Sequence, residues 1–385
     1  MASDDGAVRE PSARVLAFYL PQFHPIPEND EWWGKGFTEW TNVAKAKPLY
    51  RGHWQPHLPA DLGFYDLRLA EVREMQAEMA RSAGVEAFCY WHYWFGNGRR
   101  ILERPFREVL ESGKPDFPFC LAWANGTWSG IWHGDPKRIL IEQEYPGDSD
   151  EKAHFDLVLP AFRDHRYVRV DGKPLFALFD AVNHPNPAGF VRHWRRLAAD
   201  AGLPGIYFVA MLNPKTNAAP SPWQKEFDAV TEHGPGDFLE RLPQSDLAQK
   251  MRRLRYGDFG RRLNTLLGHP PLKPARHRYQ DVVRSAFSGK LANDDRYIPT
   301  VLPGWDNTPR SGARGVIFEG STPGLFQSYL SKAIDLVRRK RPEERIVFLK
   351  AWNEWAEGNY VEPDSEFGHQ YLDAMRRALY SSNRC

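Results

Sequence analysis

The chain has 385 residues, with 51 basic and 49 acidic side chains and a net charge of +2. That balance leaves no global field to gather nucleic acid or an anionic membrane surface, so small or neutral partners are favoured. The length exceeds a usual domain of about 100 to 200 residues, yet barrels of roughly 250 residues or more form one domain.

The N-terminus, MASDDGAVREPSARV, has neither a basic n-region nor an apolar core of signal-peptide length, and residues 1–13 are expected to form a disordered tail. No apolar stretch approaches the roughly 18 residues of a membrane span, so a soluble, cytoplasmic protein is expected. Short apolar runs then recur: Val15 to Leu20, Val85 to Tyr90, Phe117 to Trp123, Leu175 to Phe179, Ile206 to Leu212, Phe227 to Val230, Ile298 to Leu302 and Ile346 to Leu349. Between the first two, YDLRLAEVREMQAEMARSAG places Leu67, Met75 and Met79 near helical spacing, with Gly84 as the stop. Phe190 to Ala201 and Gln327 to Arg339 repeat the scheme before the fifth and eighth runs.

Apolar strands alternating with amphipathic helices predict a buried parallel sheet, and eight of them predict a (β/α)8 TIM barrel over 14–380, with a doubly wound sheet as the structural alternative. Two excursions interrupt the pattern. Pro21 to Asp66 is a long aromatic first βα loop, and 237–297 is a basic insertion between strands 6 and 7 with 13 Lys plus Arg against 7 Asp plus Glu. Helical pieces are expected there around LAQKMRRLRYG and YQDVVRSAF. Cys89, Cys120 and Cys385 are too sparse for a disulfide framework, and the first two read as reduced core residues.

In such a barrel the working face lies at the C-terminal ends of the strands. There the sequence gathers Tyr19, Gln22, His24 and Trp40; then Tyr90, His92, Tyr93 and Trp94; then Trp123, Asn125 and Trp128. Asp180, Asn213 and Glu232-His233 close the middle runs, Trp305 and Asp306 follow the seventh, and Asn353, Glu354, Glu357 and Tyr360 follow the eighth. Aromatics, which reach 14 % of the chain, beside hydrogen-bonding side chains suit a sugar, whose C–H faces lie on rings while its hydroxyls take directional bonds. The partner implied is an oligo- or polysaccharide. HWQPH at 53–57 has Pro56 in place of a regular helix and lacks the glutamate of a zinc protease, and P-loop, dinucleotide and G-x-S-x-G patterns are missing, so no metal and no cofactor is demanded.

The stretches AFYLPQFHPIPENDEWWGKGFTEWTNVAKAKP, WHYWF, LAWANGTWSGIWHG, PGWDNTPR and AWNEWAEGNYVEPD resemble the WbsX-like family, from about Val15 to Asp373. That family is labelled a polysaccharide-biosynthesis glycosyltransferase and is similar to the glycoside hydrolase family 99 endo-α-mannosidases. The resemblance implies a (β/α)8 barrel whose E-x-x-E pair is catalytic. Glu354 would deprotonate the substrate 2-hydroxyl to form a 1,2-anhydro sugar, and Glu357 would protonate the leaving oxygen. Asn353 and Tyr360 would position the pair.

Three functions are weighed on this footing. The first is a retaining glycoside hydrolase of α-linked, mannose-like glycans. The second is a glycosyltransferase of O-antigen or capsule assembly, set second because no nucleotide-sugar motif stands out and Asp294-Asp295 reads as a solvated turn. The third is a non-catalytic carbohydrate-binding barrel, for which two adjacent carboxylates have no use.

Overall fold

The computed structural model describes residues 10–130, 135–212, 221–232, 234–242 and 273–381. Eight strands form its centre: β1 (Arg14–Tyr19), β2 (Val85–His92), β3 (Phe119–Trp123), β4 (Lys173–Leu178), β5 (Tyr207–Leu212), β6 (Ala229–Glu232), β7 (Thr300–Val301) and β8 (Ile346–Leu349). Each pairs in parallel with the next from β1 to β6, β7 pairs with β8, and β8 returns to β1 through Arg14↔Ile346 to Ala17↔Leu349. The remaining seam, β6 to β7, is narrow. It is held by a parallel bridge from Val230 to Tyr297, by Ile298 N–H to Val230 O at 2.8 Å, and by the Thr231 hydroxyl 2.8 Å from that of Thr300. The result is a nearly closed parallel barrel of eight strands, each of which matches one of the predicted apolar runs.

Strands of this kind are apolar on both faces because helices cover the outside while side chains fill the inside. Inside, Phe18 stacks on Trp91 with centroids 4.7 Å apart and on Phe348 at 5.0 Å. Outside run α3 (Ala70–Ala83), α4 (Arg104–Ser112), α5 (Asp148–Arg163) and α6 (Pro187–Asp200), which follow α1 (Pro27–Trp33) and α2 (Glu39–Lys45) of the first loop. Then come α7 (Pro235–Arg241), α8 (Tyr279–Ser285), α9 (Thr308–Ser311), α10 (Pro323–Val337) and α11 (Gln370–Tyr380). Local chemistry sets several ends. Asn186 caps α6 by accepting from Gly189 N–H at 3.0 Å, with Pro187 opening the helix. Gly84 ends α3 at φ +87°, and a Cβ there would sit 2.9 Å from Leu379 of α11.

Two expectations need correction. The helix after the first loop begins at Ala70, because Leu67 N–H is taken by Phe23 O and the Asp66 carboxylate turns the chain by accepting from Arg68 N–H at 2.9 Å. Met75, one of the three residues whose helical spacing marked the apolar stripe, is exposed; the buried face runs instead through Arg73, Gln76, Ala77, Ala80 and Ala83. Cys89 and Cys120 are free, buried and directly opposite across β2 and β3.

Of the basic insertion, YQDVVRSAF supplies α8 and Ala275–Arg278 pairs in parallel with Val316–Glu319, whereas LAQKMRRLRYG lies outside the described residues. Asn213 and His233 do so too. Asp294 binds Arg296 in a local turn. Ser12, within the expected tail, donates from both N–H and hydroxyl to Leu379 O. Among the described residues no helix is long and apolar enough to cross a membrane.

Candidate active site

After β8 the chain makes a small hairpin. Asn353–Glu354 pairs with Asn359–Tyr360 across a one-turn helix at Trp355–Glu357. Asn353 fixes its root, accepting from Leu20 N–H at 2.7 Å and donating to Leu20 O at 3.1 Å, so the ends of β1 and β8 are laced together. Gly358 closes the turn at φ +56°, and a Cβ there would lie 2.8 Å from Asp306 N. This geometry sends both carboxylates of the E-x-x-E pair to one side, into a cavity of about 320 Å³ at the C-terminal end of the barrel.

One buried guanidinium organises that cavity. Arg310, in α9 after β7, donates from Nη1 to Glu357 at 2.7 Å, from Nη2 to Glu354 at 3.3 Å, and from Nε to Glu39 at 2.8 Å. Glu39 opens α2, where its own N–H donates to Gln22 O and its carboxylate accepts from Asn42 Nδ2 at 3.3 Å. Glu354 takes a further bond from the Trp91 indole at 3.1 Å. Lys350 adds a second cation, its Nζ 5.7 Å from the Trp91 ring and 5.8 Å from Phe179. Burial, and then the charge of Glu357, push Glu354 up to about 7, although Arg310 and Lys350 pull the other way. Burial opposes the charge on Arg310 as well, but the three carboxylates outweigh it and hold the guanidinium protonated. Beneath the hairpin, burial also raises Glu362 to about 7 in spite of bonds from Trp355, Gln76 and Tyr65.

Of the residues singled out in the sequence, Gln22, Tyr93, Trp128, Glu354 and Glu357 line this cavity. Alternation along β2 turns Tyr90 and His92 away. Trp91 faces inward, whereas Tyr90 packs on Tyr19 and Phe106, and His92 pairs with His154 at 2.8 Å under α5. Burial lowers His92 to about 3, so it stays neutral. The Tyr19 hydroxyl donates to Gln76 of α3, and His24 bonds its own turn at Pro21 O. Trp40 donates to Tyr65 O and packs on Trp355, while Trp94 donates to Asp150. Asn125 ties β3 to β4 through both the N–H and the carbonyl of Asp180. Trp123 lines a separate recess near α5 and α6. Asp148, Glu151 and His193, the one metal-capable cluster among the described residues, lie in that region, and His193 is already bonded to Glu151 at 2.7 Å.

Trp305, Asp306 and Tyr360 line a second recess of about 260 Å³ behind the hairpin. Apart from the Trp305 indole N–H, which has no partner among the described residues, its polar side chains bond one another. Asp306 accepts from His53 at 2.7 Å, Gln55 at 2.8 Å and both donors of Thr308; Tyr360 joins His57 to Asp364; Glu319 binds Tyr50 and Arg276. The HWQPH histidines are therefore braces. Cavity residues that sequence reading missed include Glu39, Trp91, Arg310 and Lys350. Glu39 and Arg310 sit in the quoted motifs FTEW and DNTPR, but their meeting spans 271 positions.

Residues 15–375 match the family model described as Glycosyltransferase WbsX. The chain belongs to that family. That membership agrees with the resemblance drawn from its motifs. Curated relatives, two proteins called "Uncharacterized protein WxcX" from strains of Xanthomonas campestris pv. campestris, are 38 % and 39 % identical over 95 % of this chain. The chain spans about half the length of these relatives, 50 % in each case. Among solved structures, a "Glycoside hydrolase-like protein" superposes with a TM-score of 0.58 at 16 % identity, covering 98 % of this chain and 96 % of that one. The family 99 endo-α-mannosidase of Bacteroides thetaiotaomicron superposes with a TM-score of 0.50 at 15 % identity, covering 96 % and 99 %. Both likenesses are of fold.

Proposed function

We propose that this WbsX chain transfers a glycosyl unit, with retained configuration, from an α-linked glycan donor to a hydroxyl of a second sugar during polysaccharide assembly. The observation that carries the reading is the pairing of Glu354 and Glu357 on one guanidinium in an aromatic-walled cavity. The family description favours transfer, which moves ahead of the hydrolysis placed first on sequence alone.

The chemistry follows from the two protonation states the pair can hold. Glu354, raised to about 7, is when ionised a stronger base than an ordinary carboxylate, suited to take the proton of the sugar 2-hydroxyl. That oxygen then closes on the anomeric carbon as the glycosidic bond breaks, and Glu357 hands a proton to the departing oxygen. An incoming hydroxyl, deprotonated by Glu357, reopens the anhydro ring, and the proton on Glu354 returns to O2. Two inversions give retention. A proton-donating carboxyl is needed for a poor leaving group such as a sugar alkoxide, which favours a glycan donor over a nucleotide sugar. Glu39, Glu354 and Glu357 against Arg310 and Lys350 also leave the lining without the cationic excess a pyrophosphate calls for.

Hydrolysis is the second reading, favoured by the same carboxylate pair with water in place of the acceptor. Purified protein incubated with defined α-linked oligosaccharides, with and without excess acceptor sugar, separates the two when products are followed by mass spectrometry and NMR. Acceptor-dependent, α-configured products that vanish in Glu354→Gln and Glu357→Gln support transfer. Reducing sugar released at the same rate without acceptor establishes hydrolysis, and turnover that survives both substitutions removes the pair from the mechanism.

A further inference from the structure

Glu39 has no part in the chemistry above, yet it holds one corner of the Arg310 network. It is 1 % exposed, fixed from behind by Asn42 one helical turn along, and bonded to Arg310 Nε. A guanidinium has one planar fork, so an acceptor locked at Nε sets how far its two terminal nitrogens reach. Here that reach is unequal: 2.7 Å to Glu357 and 3.3 Å to Glu354. Glu354 instead leans on the neutral indole of Trp91.

We propose that Glu39, acting through Arg310, is the positioning residue that decides which carboxyl of the Glu354–Glu357 pair carries the shared proton. By holding the guanidinium on the Glu357 side, it leaves Glu354 as the group that keeps the proton at rest; that proton crosses to Glu357 before reaction, which frees Glu354 to take the proton of the 2-hydroxyl. Its own negative charge reinforces the effect. The charged groups facing Glu354 from every side are Glu357 on the hairpin, Arg310 on α9, Lys350 after β8 and Glu39 on α2, with the Tyr93 phenol neutral opposite. Removing Glu39 takes away a like charge and frees Arg310 to settle on Glu354, so both consequences lower its proton affinity. Removing the Arg310 charge raises it.

This inference rests on reading Glu354 and Glu357 as the reacting pair, but its test needs no substrate. The Trp91 indole N–H reports on Glu354 directly, and its ¹⁵N–¹H resonance, identified by its loss in Trp91→Phe, is followed against pH in the full chain. We expect one titration near neutrality in the unmodified protein, a midpoint lower by about 1 pH unit in Glu39→Gln, and a midpoint higher by a similar amount in Arg310→Met. Midpoints unchanged in both folded variants, whatever happens to turnover, overturn the proposal and leave Glu39 as a mere anchor. Should either variant fail to fold, ¹³C spectra of the glutamate carboxyls in the unmodified protein decide. A titration near neutrality carried by Glu354 and not by Glu357 supports the proposal, and one carried by Glu357 and not by Glu354 contradicts it.

Discussion

The two recesses on either side of the Trp355–Glu357 turn use similar residues to opposite ends. In the first, three carboxylates crowd one guanidinium, and Glu354 is left with a proton affinity far above that of an exposed glutamate. In the second, burial tends to raise Asp306, but bonds from His53, Thr308 and Gln55 outweigh it and hold the carboxylate below its usual range. One recess crowds like charges on a single guanidinium and the other uses its polar groups to brace loops. The proposed chemistry lies in the first, where a raised proton affinity lets Glu354 exchange a proton near neutrality.

The sharpest way to break this contrast is to substitute one carboxylate on each side. Glu354→Gln and Glu357→Gln are each expected to cut turnover by about 10³-fold or more, with Glu354→Gln no less stable than the unmodified protein at pH 7, where the ionised carboxylate is the costly form. A donor with an activated leaving group, such as an aryl glycoside, should restore the first step to Glu357→Gln and not to Glu354→Gln. Asp306→Ala should do the reverse, costing about 3 kcal/mol of stability through the His53 and Gln55 partners it strands. Turnover measured on the folded fraction should fall far less. Equal loss of activity in Asp306→Ala and Glu354→Gln would erase the distinction between the recesses.

The same contrast predicts opposite pH signatures in stability. Glu354 and Glu362 bind a proton more tightly folded than unfolded, so each adds stability that is fully present below about pH 4.5 and is lost as pH rises toward 7. The slope is about 1 kcal/mol per pH unit for each group at most. Asp306 works the other way: its stabilisation is present above the usual carboxylate range and disappears as pH falls through it. Denaturant unfolding from pH 4 to 8 should therefore show a decline that flattens in Glu362→Gln. A decline of full size in that variant would mean its carboxyl is not held protonated.

Much of this was readable in the sequence, and the exceptions share a cause. The eight apolar runs located every barrel strand, because strands buried on both faces leave no other pattern. That same two-sided burial hid which side chains point inward. Along Tyr90-Trp91-His92-Tyr93-Trp94 every residue is aromatic or polar-aromatic, so only the backbone's alternation picks out Trp91 and Tyr93 over Tyr90 and His92. Glu354 and Glu357 were legible because three residues of spacing keep them together in any local conformation. Glu39 and Arg310 were not, since what joins them is barrel closure, which brings the loop after β1 to the loop after β7. Trp305, Asp306 and Tyr360 carry the composition of a sugar site and stand behind the hairpin, so residue type alone does not separate a brace from a binding group.

Two glycines offer the mildest test, one in the wall between the recesses and one in the cavity itself. Gly358 at φ +56° has no room for a Cβ, with Asp306 N and Cβ at 2.8 and 2.9 Å, so Gly358→Ala should disturb both sides at once, at about 1 to 2 kcal/mol of stability. Gly126 lines the first cavity, and a Cβ built there meets nothing within 4 Å. Gly126→Gln therefore costs the fold almost nothing and places a polar arm where the sugar is proposed to lie. If that space is a binding site, KM should rise by roughly a few-fold with kcat and unfolding midpoint nearly unchanged, since the arm occupies volume without touching the Glu354–Glu357 pair. An unaltered KM would mean that substrate approaches from a side of the cavity that Gly126 does not border, and would place the sugar nearer Trp91 and Phe179.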